Sequence, residues 1–514
     1  MTAAPSSSRA LVIGSGFGGL AAALRLRALV IGSGLGGIAA ALRLRALGHE
    51  VTLLERQPDH GGRARVFRRD GFFYDAGPTV LTAPFLFDEL FALFGENRAD
   101  HIEFLPVKPW YRMIDDQGRS FDYGGTVEDT LREIAKFNPL DQRGYLRLLE
   151  KSRKLYNTGF TKLAAEPFST LTDMIRILPD LVRLRGDRTV YDLVCRHLRD
   201  PSLRMFFSIQ PLLVGGNPFD TSCLYSLIHY LERQWGVWFP RGGTGALVDA
   251  LLALGKRHGV QFRHSATVEE ILVRNGHAAG VRLAGGEQLD ADLVVANADP
   301  PTVYRQLIPA VHRRKWTDRK LATRKYSMGL FVLFFAANRR YEDVAHHTIL
   351  FGPRYRGLLD DIFKRGIIAD DFSLYLHRPT ATDPSMAPDG QDTFYVLSPV
   401  PNLQHPIDWD TEGPRYAQRI LDHLQKTILP DLDQHLVSQF HIAPPYFRDA
   451  LLTTHGTGFS IAPILTQSAW FRFHNESEDV PGLYFVGAGT HPGAGMPGVL
   501  SSAKVVENLL RRAA

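Results

Sequence analysis

A nucleotide-binding motif occurs twice, back to back, at the start of this chain. Residues 9–26 read RALVIGSGFGGLAAALRL and residues 27–44 read RALVIGSGLGGIAAALRL, so the two copies differ at only two positions. Each copy has a short apolar strand, the pattern G-x-G-x-x-G and the start of an alanine-rich helix. These glycines allow a tight turn, a close approach to a pyrophosphate and close helix packing, and the helix N-terminus favours phosphate. The motif predicts a Rossmann-like α/β fold.

The second copy has the spacing that a dinucleotide site requires. A helix is predicted over Ala39–Leu47, and a strand follows over Glu50–Leu54. The acid that binds the ribose is expected about 20 residues after the first glycine. Glu55 lies 23 residues after Gly32 but 41 after Gly14. We therefore predict that the cofactor is bound by Glu55 together with the glycines of the second copy, which are Gly32, Gly34 and Gly37.

The first copy is interpreted as an extra copy that lies outside the cofactor site. It is either a harmless insertion or an artefact of sequence assembly. Its glycines are Gly14, Gly16 and Gly19, and residues 1–28 are predicted to be a disordered N-terminus plus this spare copy. The alternative keeps the first copy in the sheet and loops out the second. That arrangement would break the spacing to Glu55.

Two further glycine clusters predict that the dinucleotide is FAD. The segment GGRA at residues 61–64 follows the ribose acid, and the segment GAGTHPGAGMPG at residues 487–498 joins a predicted strand, Leu483–Val486, to a predicted helix, Val499–Leu510. An N-terminal nucleotide motif combined with a C-terminal strand–glycine–helix clamp is typical of large FAD oxidoreductases. The additional predicted cofactor-binding residues are Arg56, Gly62, Arg63, Gly487, Gly489 and Met496.

Composition excludes several classes of protein. The 514 residues are 45% hydrophobic and 22% charged, which is typical of globular proteins. A net charge of +5 is too small and too dispersed to indicate nucleic-acid binding. The two cysteines exclude a disulfide scaffold, and no cluster of metal ligands is visible in the sequence. The longest uncharged apolar runs, Ala28–Leu42 and Tyr326–Asn338, are too short to span a bilayer. The two cysteines are interpreted as reduced thiols, so we expect a cytoplasmic protein, and any contact with a membrane is expected to be peripheral.

The chain resembles the bacterial-type phytoene desaturases, which are FAD-dependent carotenoid desaturases. The resemblance runs from about Leu29 to Leu510. It is carried by long motifs, which are GGRA (61–64), FYDAGPTV (73–80), LLVGGNPF (212–219), ERQWGVWFPRGGTGAL (232–247), AHHTILFGPRY (345–355), DFSLYLH (371–377), LTQSAWFR (465–472) and VGAGTHPGAGMPGV (486–499). The duplicated 18 residues are the one clear departure from the family pattern.

The resemblance implies a function. Such a protein binds FAD non-covalently and introduces double bonds stepwise into phytoene, a C40 polyene, to give neurosporene or lycopene. A hydride passes to the flavin and then to oxygen or a membrane quinone. The resemblance places the backbone of Val268 against the adenine and suggests Asp173 and Arg176 as catalytic residues. A surface ion pair is the alternative interpretation of Asp173 and Arg176.

The resemblance also implies an architecture. We expect a Rossmann-like FAD-binding domain of the amine-oxidase and GDI type, an α+β substrate domain and a helical region that faces the membrane. The predicted boundaries are 29–80, 232–300 and 465–514 for the FAD domain, 81–160 and 301–464 for the substrate domain, and 161–231 for the helical region. Residues 160–194 include a basic amphipathic stretch that suits a membrane interface. The alternative is a core-packed helix with a solvated basic face.

Two other functions remain open at the level of sequence. The first is a later carotenoid desaturase that acts on a hydroxylated or methoxylated intermediate. The second is a non-catalytic carrier of prenyl lipids, because Rab-escort and GDP-dissociation-inhibitor proteins use a related fold. The intact C-terminal glycine clamp favours the desaturases over the carrier.

Overall fold

A computed structural model describes residues 26–513. Residues 1–25, with Gly14, Gly16 and Gly19 of the first copy, lie outside the described residues. The second copy lies within them, and its apolar segment forms the strand Arg27–Ile31. The predicted N-terminal segment 1–28 extends too far, because Arg27 and Ala28 already belong to this strand.

The chain alternates short strands and helices. In chain order the strands of the described residues are β1 (Arg27–Ile31), β2 (Glu50–Leu54), β3 (Val66–Arg69), β4 (Phe72–Asp75), β5 (Phe104–Pro106), β6 (Tyr111–Ile114), β7 (Ser120–Tyr123), β8 (Trp238–Pro240), β9 (Gln261–Arg263), β10 (Val268–Arg274), β11 (His277–Leu283), β12 (Gln288–Asp290), β13 (Leu293–Ala296), β14 (Gly329–Ala337), β15 (His347–Leu350), β16 (Leu374–His377), β17 (Asp392–Val400), β18 (Leu436–Ile442) and β19 (Leu483–Phe485). The α-helices are α1 (Leu35–Ala46), α2 (Phe85–Ala92), α3 (Val127–Phe137), α4 (Asp141–Tyr156), α5 (Leu171–Leu184), α6 (Val190–Cys195), α7 (Pro201–Phe206), α8 (Leu227–Trp235), α9 (Gly243–Arg257), α10 (Pro300–Thr302), α11 (Asp318–Ala322), α12 (Tyr355–Asp360), α13 (Trp409–Thr427), α14 (Leu432–His435), α15 (Pro444–Asp449) and α16 (Met496–Ala513).

The first sheet is parallel and has the strand order of a dinucleotide-binding fold. Its strands lie in the order β19-β13-β1-β2-β9, with every neighbouring pair parallel. All four residues of β13 are buried, as expected for a parallel strand covered on both faces. The predicted α/β fold is confirmed. Since β1 comes from the second copy and pairs with both β2 and β13, the alternative that loops out the second copy is wrong.

The second large sheet has seven strands in the order β18-β14-β17-β16-β15-β6-β7. Its pairs are antiparallel except β15 with β6. Strand β14 is buried along its whole length, which accounts for the apolar run GLFVLFFAA. A three-stranded antiparallel sheet, β10-β11-β12, packs beside the first sheet through an apolar cluster that includes Ile271, Val281 and Val294.

The region between residues 81 and 235 contains helices α2 to α8. It also contains β5, β6 and β7, each of three or four residues. Strands this short leave little periodicity in the sequence. The predicted division into domains stays a prediction.

The two ends of the described chain meet in the core. Helix α16 packs against α1, and Arg43 donates to Glu507 over 2.6 Å with both side chains almost fully buried. Arg43 also pairs with Glu89 of α2 at 3.1 Å. These contacts hold the C-terminal helix against the nucleotide-binding helix. No helix within residues 26–513 is long and apolar enough to cross a membrane.

Candidate active site

The predicted cofactor glycines lie where the strand order of the parallel sheet reverses. Strand β1 has β2 on one side and β13 on the other, so the sheet grows outward from β1 in both directions. Ligands of such sheets bind in the crevice at the carboxyl ends of the strands beside this switch point. Gly32 follows β1 there with a φ of 94°, and Asn297 follows β13.

Asn297 is a residue that sequence reasoning missed. A Cβ added at Gly34 would lie 2.7 Å from the Asn297 Nδ2 atom, and one added at Gly487 would lie 2.8 Å from its Oδ1 atom. The Asn297 side chain therefore lies between the N-terminal and C-terminal glycine segments. The position directly after a buried parallel strand is the signal that could have indicated it.

The glycines of the second copy leave no room for side chains. A Cβ at Gly37 would lie 2.0 Å from the carbonyl oxygen of Gly32, so only glycine lets the helix approach the turn this closely. Gly34 is the residue before α1, and no side chain caps that helix end. The first N–H groups of α1 are therefore directed at the crevice, where an anion would be stabilised.

Glu55 closes the crevice at the end of β2. Its Oε2 atom accepts hydrogen bonds from the Ser33 backbone at 2.9 Å and from the Ser33 hydroxyl at 2.6 Å, and its Oε1 atom accepts from the Gln57 backbone at 2.8 Å. These bonds hold the carboxylate beside the glycine turn. That is the position that the spacing predicted for a ribose acceptor.

The GGRA segment lies beside the glycine turn, where the Gly61 backbone donates to the Ser33 carbonyl oxygen at 3.1 Å. Gly61 and Gly62 have φ values of 102° and 56°, and residues Gly62–Ala64 form a short 3₁₀ turn. Arg63 lines the crevice and its Nε atom is buried without a partner. Burial lowers the pKa of Arg63 from its ordinary value. Arg56 also lines the crevice and donates to the carbonyl oxygen of Asp449.

The C-terminal clamp and Val268 complete the crevice. Val268, Gly487 and Met496 line it, and the Gly487 backbone donates to the Ser502 hydroxyl at 2.8 Å. Gly489 has a different environment. A Cβ there would lie 2.3 Å from Pro300, and Gly489 is not among the described residues that line the crevice.

The crevice continues into a large apolar cavity. The cavity has a volume of about 580 Å³ and reaches from the glycine turn to the seven-stranded sheet. Its far walls are apolar side chains from α8, β14, β17 and the segments around them. Representative lining residues are Phe160, Ile209, Leu227, Leu330, Leu397 and Phe447. Walls of this kind fit a predominantly apolar ligand.

One buried carboxyl group faces this cavity. Glu232 of α8 is fully buried and lines the cavity, and its Oε1 atom accepts a hydrogen bond from the Tyr111 hydroxyl at 2.8 Å. The Oε2 atom has no hydrogen-bond partner. Burial raises the pKa of Glu232 to about 7. Glu232 begins the family motif at residues 232–247, but local sequence does not show its burial or its partner Tyr111, which comes from a distant segment.

The predicted catalytic pair lies elsewhere. The Asp173 carboxylate accepts from the Thr170 backbone at 2.9 Å and from the Thr170 hydroxyl at 2.8 Å, which caps the start of α5. Arg176 is exposed. Neither residue is among the described residues that line the cavity, although Ile177 of the same helix is. A catalytic role for Asp173 and Arg176 stays a prediction.

Comparison with known proteins identifies the family. The model of the flavin containing amine oxidoreductases matches residues 35–506. A phytoene desaturase (lycopene-forming) of Pseudescherichia vulneris is 47% identical over 98% of this chain and 99% of its own length. A phytoene desaturase (neurosporene-forming) of Cereibacter sphaeroides is 43% identical over 98% of this chain and 95% of its own length.

The chain belongs to the phytoene desaturases of the flavin containing amine oxidoreductase family. Solved structures support the fold of this family member. An oxidoreductase from Methanosarcina mazei matches with a TM-score of 0.62 at 18% identity, over 94% of this chain and all of the other. A Rab GDI from Plasmodium falciparum matches with a TM-score of 0.55 at 10% identity, over 94% and 98%. The predicted amine-oxidase and GDI-like fold is confirmed.

The crevice of this family member fits FAD. Glycines at closely packed positions, a helix N-terminus without a side-chain cap and the buried, unpartnered Arg63 Nε atom together suit a ligand with two phosphates and a ribose. FAD is the cofactor of this family, as the sequence predicted.

Proposed function

We propose that this chain is an FAD-dependent phytoene desaturase that converts phytoene stepwise to neurosporene or lycopene. The observation that carries the proposal is the apolar cavity that leaves the FAD crevice directly. Phytoene is a hydrocarbon without polar groups, so shape and apolar contact are the only means of binding it. The near full-length similarity to phytoene desaturases supports the same substrate.

The proposed reaction removes two hydrogens from the polyene, one taken up by the cofactor and one by a residue of this chain. Bound FAD supplies the two-electron oxidation, because it can accept two electrons and one hydrogen from the polyene. The second hydrogen leaves the neighbouring carbon as a proton. We assign that proton to the Oε2 atom of Glu232, which lines the cavity, has no other partner and ionises near pH 7. The Tyr111 hydroxyl holds the carboxyl group in place.

The remaining wall residues orient the chain of the polyene. Apolar side chains on opposite walls, such as Leu227 and Leu397, keep water out and let the polyene slide along its axis between successive oxidations. In this proposal Gly32, Gly34, Gly37, Glu55 and Arg63 hold the dinucleotide. Arg56, Gly62, Val268, Gly487 and Met496 line the same crevice and complete the set, while Gly489 supports the clamp through its packing on Pro300.

We also propose that α5 rests on a membrane surface. Three apolar side chains on one side of this helix, Ile175, Leu178 and Val182, are 62%, 52% and 64% exposed. On another side of the helix Ile177 is buried and lines the cavity. A helix that is apolar on both its buried and exposed faces, with Arg176 and Arg183 exposed as well, suits the boundary between acyl chains and headgroups. Phytoene would then enter from the bilayer beside Ile177.

A single reaction tests the proposed function. The purified chain is loaded with FAD and incubated with liposomes that contain 15-cis-phytoene, with oxygen in one arm and a quinone without oxygen in the other. We expect neurosporene or lycopene by chromatography, and the productive arm identifies the acceptor. An FAD-loaded chain that leaves phytoene unchanged but oxidises a hydroxylated or methoxylated carotenoid would favour the later desaturase. A chain without flavin absorbance after reconstitution would favour the lipid carrier.

A further inference from the structure

A buried cluster of three histidines lies behind the cavity wall. His346, His347 and His377 are each at most 2% exposed, and one ring nitrogen from each lies within 4.8 Å of the others. The cluster escaped sequence analysis because His377 is 30 residues away from His347 along the chain. It plays no part in the function proposed above.

The sheet brings these rings together. His347 is the first residue of β15 and pairs with His377, the last residue of β16, across the antiparallel register. His346 precedes β15, so its side chain is free of the alternation that would send neighbouring strand residues to opposite faces. Its ring centroid lies 4.4 Å from that of His347 and 4.7 Å from that of His377.

The ring nitrogens of the cluster lack partners. Both nitrogens of His346, both of His377 and the Nε2 atom of His347 are buried without a hydrogen bond. The Oδ2 atom of Asp75 is also buried and unpartnered, and it lies 4.0 Å from the Nε2 atom of His377. A buried polar group without a hydrogen-bond partner destabilises the folded chain. Several of them around one point therefore indicate that something is bound there.

The surroundings orient the rings as in known metal sites. The Nδ1 atom of His347 is hydrogen-bonded to the Tyr375 hydroxyl at 2.7 Å, which leaves the Nε2 lone pair free. The Tyr375 hydroxyl in turn contacts the Thr79 hydroxyl at 2.5 Å. The Oδ1 atom of Asp75 accepts from the Thr244 backbone at 2.9 Å, which aims Oδ2 at the cluster. Outer hydrogen bonds of this kind fix the orientation of ligating histidines.

We propose that His346, His347 and His377 bind one divalent transition-metal ion, and that Asp75, which lies outside the 4.8 Å group of the three histidines, turns toward the ion as a fourth ligand. Three imidazole nitrogens and one carboxylate oxygen match the preferences of Zn²⁺, Co²⁺ or Fe²⁺ and not those of Mg²⁺ or Ca²⁺. Nitrogens around a tetrahedral zinc are about 3.3 Å apart. The rings therefore need to move inward by about 1 Å on binding.

The site would join three strands. Asp75 ends β4, while His347 and His377 lie in β15 and β16, two adjacent inner strands of the seven-stranded sheet, and His346 directly precedes β15. Through His347 the ion also fixes Tyr375, which lines the cavity. The role of the ion is to position the cavity wall.

The test measures metal binding by the full-length, FAD-loaded protein. Zinc, iron, cobalt, nickel and copper are quantified in the purified protein by mass spectrometry. Chelator-treated protein is then titrated with Co²⁺ and Zn²⁺. We expect one ion per chain, visible cobalt absorption typical of a tetrahedral nitrogen and oxygen site, and a higher unfolding temperature with Zn²⁺.

Two variants locate the ion. His377→Gln and His346→Gln keep polar side chains of similar size, and we expect each to lower the affinity for Co²⁺ at least tenfold. His60→Ala is the matched control, because His60 and His264 form a second histidine pair, with Nε2 atoms 2.8 Å apart. Metal lost in His60→Ala but kept in His377→Gln would overturn the proposal. So would wild-type protein that binds neither ion, which would mean that water fills the cluster.

Discussion

At the scale of single residues, the site depends on positions where the neighbours leave no room for a different side chain. Gly37 is one such position, since its missing Cβ would meet the Gly32 carbonyl oxygen at 2.0 Å. Glu232 is different, because its acidity is what matters. Full burial raises its pKa, and one hydrogen bond from the Tyr111 hydroxyl holds its carboxyl group in place. Both residues can be tested by substitutions that change only one or a few atoms.

Gly37→Ala should reduce the FAD content of the purified protein at least tenfold, because the added methyl group pushes α1 away from the turn. The duplication supplies a matched control in the same chain. Gly19→Ala makes the same change in the first copy, and we expect normal FAD content there. The ratio of flavin to protein absorbance measures both variants. Loss of FAD in Gly19→Ala with normal content in Gly37→Ala would mean that the first copy binds the cofactor.

Glu232→Gln should lower the rate of phytoene desaturation by about 10²–10⁴-fold, the range for loss of a general base. Because the pKa is about 7, the wild-type rate should rise with pH through that value as the carboxyl group ionises. The desaturation rate of Glu232→Gln should not rise with pH in this range. Asp173→Asn is the comparison, and a larger loss of rate in Asp173→Asn than in Glu232→Gln would place the base on α5.

The same carboxyl group affects stability. Its pKa in the folded chain lies above the ordinary value of 4.5, so the folded chain holds the proton more tightly. The free energy of unfolding therefore falls as pH rises from about 4.5 to 7, by roughly 3 kcal/mol for a shift of this size. Glu232→Gln should remove that part of the slope, so that the variant unfolds at a higher temperature than the wild type at pH 8.

At the scale of secondary-structure elements, the amphipathic helices α5 and α16 differ in whether their apolar residues are buried. Helix α16 packs its apolar residues Leu500 and Val506 into the core beside the buried Glu507. Helix α5 leaves Ile175 and Val182 exposed while Ile177 lines the cavity. The hydrophobic pattern alone predicts both helices, but it does not say which apolar faces find a partner.

Ile175→Asp combined with Val182→Asp should reduce binding to anionic liposomes at least tenfold, since each apolar side chain buried in lipid contributes about 1.5–3 kcal/mol. Val311→Asp removes another exposed apolar side chain that does not belong to α5 and serves as the control. Liposome flotation measures the binding of the wild type, the double α5 variant and Val311→Asp. Arg183→Gln with Arg185→Gln should weaken binding mainly at low salt. Unchanged flotation of the α5 variants would remove this helix from the membrane contact.

The buried pair of Arg43 and Glu507 joins the first and last helices of the described chain. Removing one partner of a buried ion pair leaves an uncompensated charge and costs about 3–5 kcal/mol. Arg43 keeps Glu89 at 3.1 Å, so we expect the lower value for Glu507→Gln. The control Glu412→Gln breaks the exposed pair with Arg415, which is worth at most about 1 kcal/mol. Thermal unfolding of the two variants measures the difference.

At the scale of the whole molecule, the chain has one nucleotide-binding sheet assembled from distant segments. Strands from residues 27–31, 261–263 and 483–485 meet in it. The second copy of the motif supplies its central strand, so the first copy is not needed to complete the described sheet.

Deletion of residues 9–26 should therefore preserve FAD content and the rate of phytoene desaturation, because the strand, turn and helix of the second copy remain intact. Deletion of residues 27–44 is the matched variant of equal length and nearly equal sequence. It leaves one copy as well, joined to the same Arg45, so both deletions should yield proteins of equal activity. Loss of activity in either protein would give the duplicated segment a role of its own.

Local sequence patterns by themselves determined several secondary-structure elements, the family and the cofactor of this protein. The strand–glycine–helix motif and the segment Glu50–Leu54 predicted elements that the structure confirms, because strand and helix periodicity depends on neighbouring residues. The resemblance of long motifs predicted the family and FAD. Tertiary structure alone placed Asn297 between two glycine segments and Glu232 at the cavity. It also gathered His346, His347 and His377. Pairing between distant strands creates these contacts, and local sequence does not encode which strands meet.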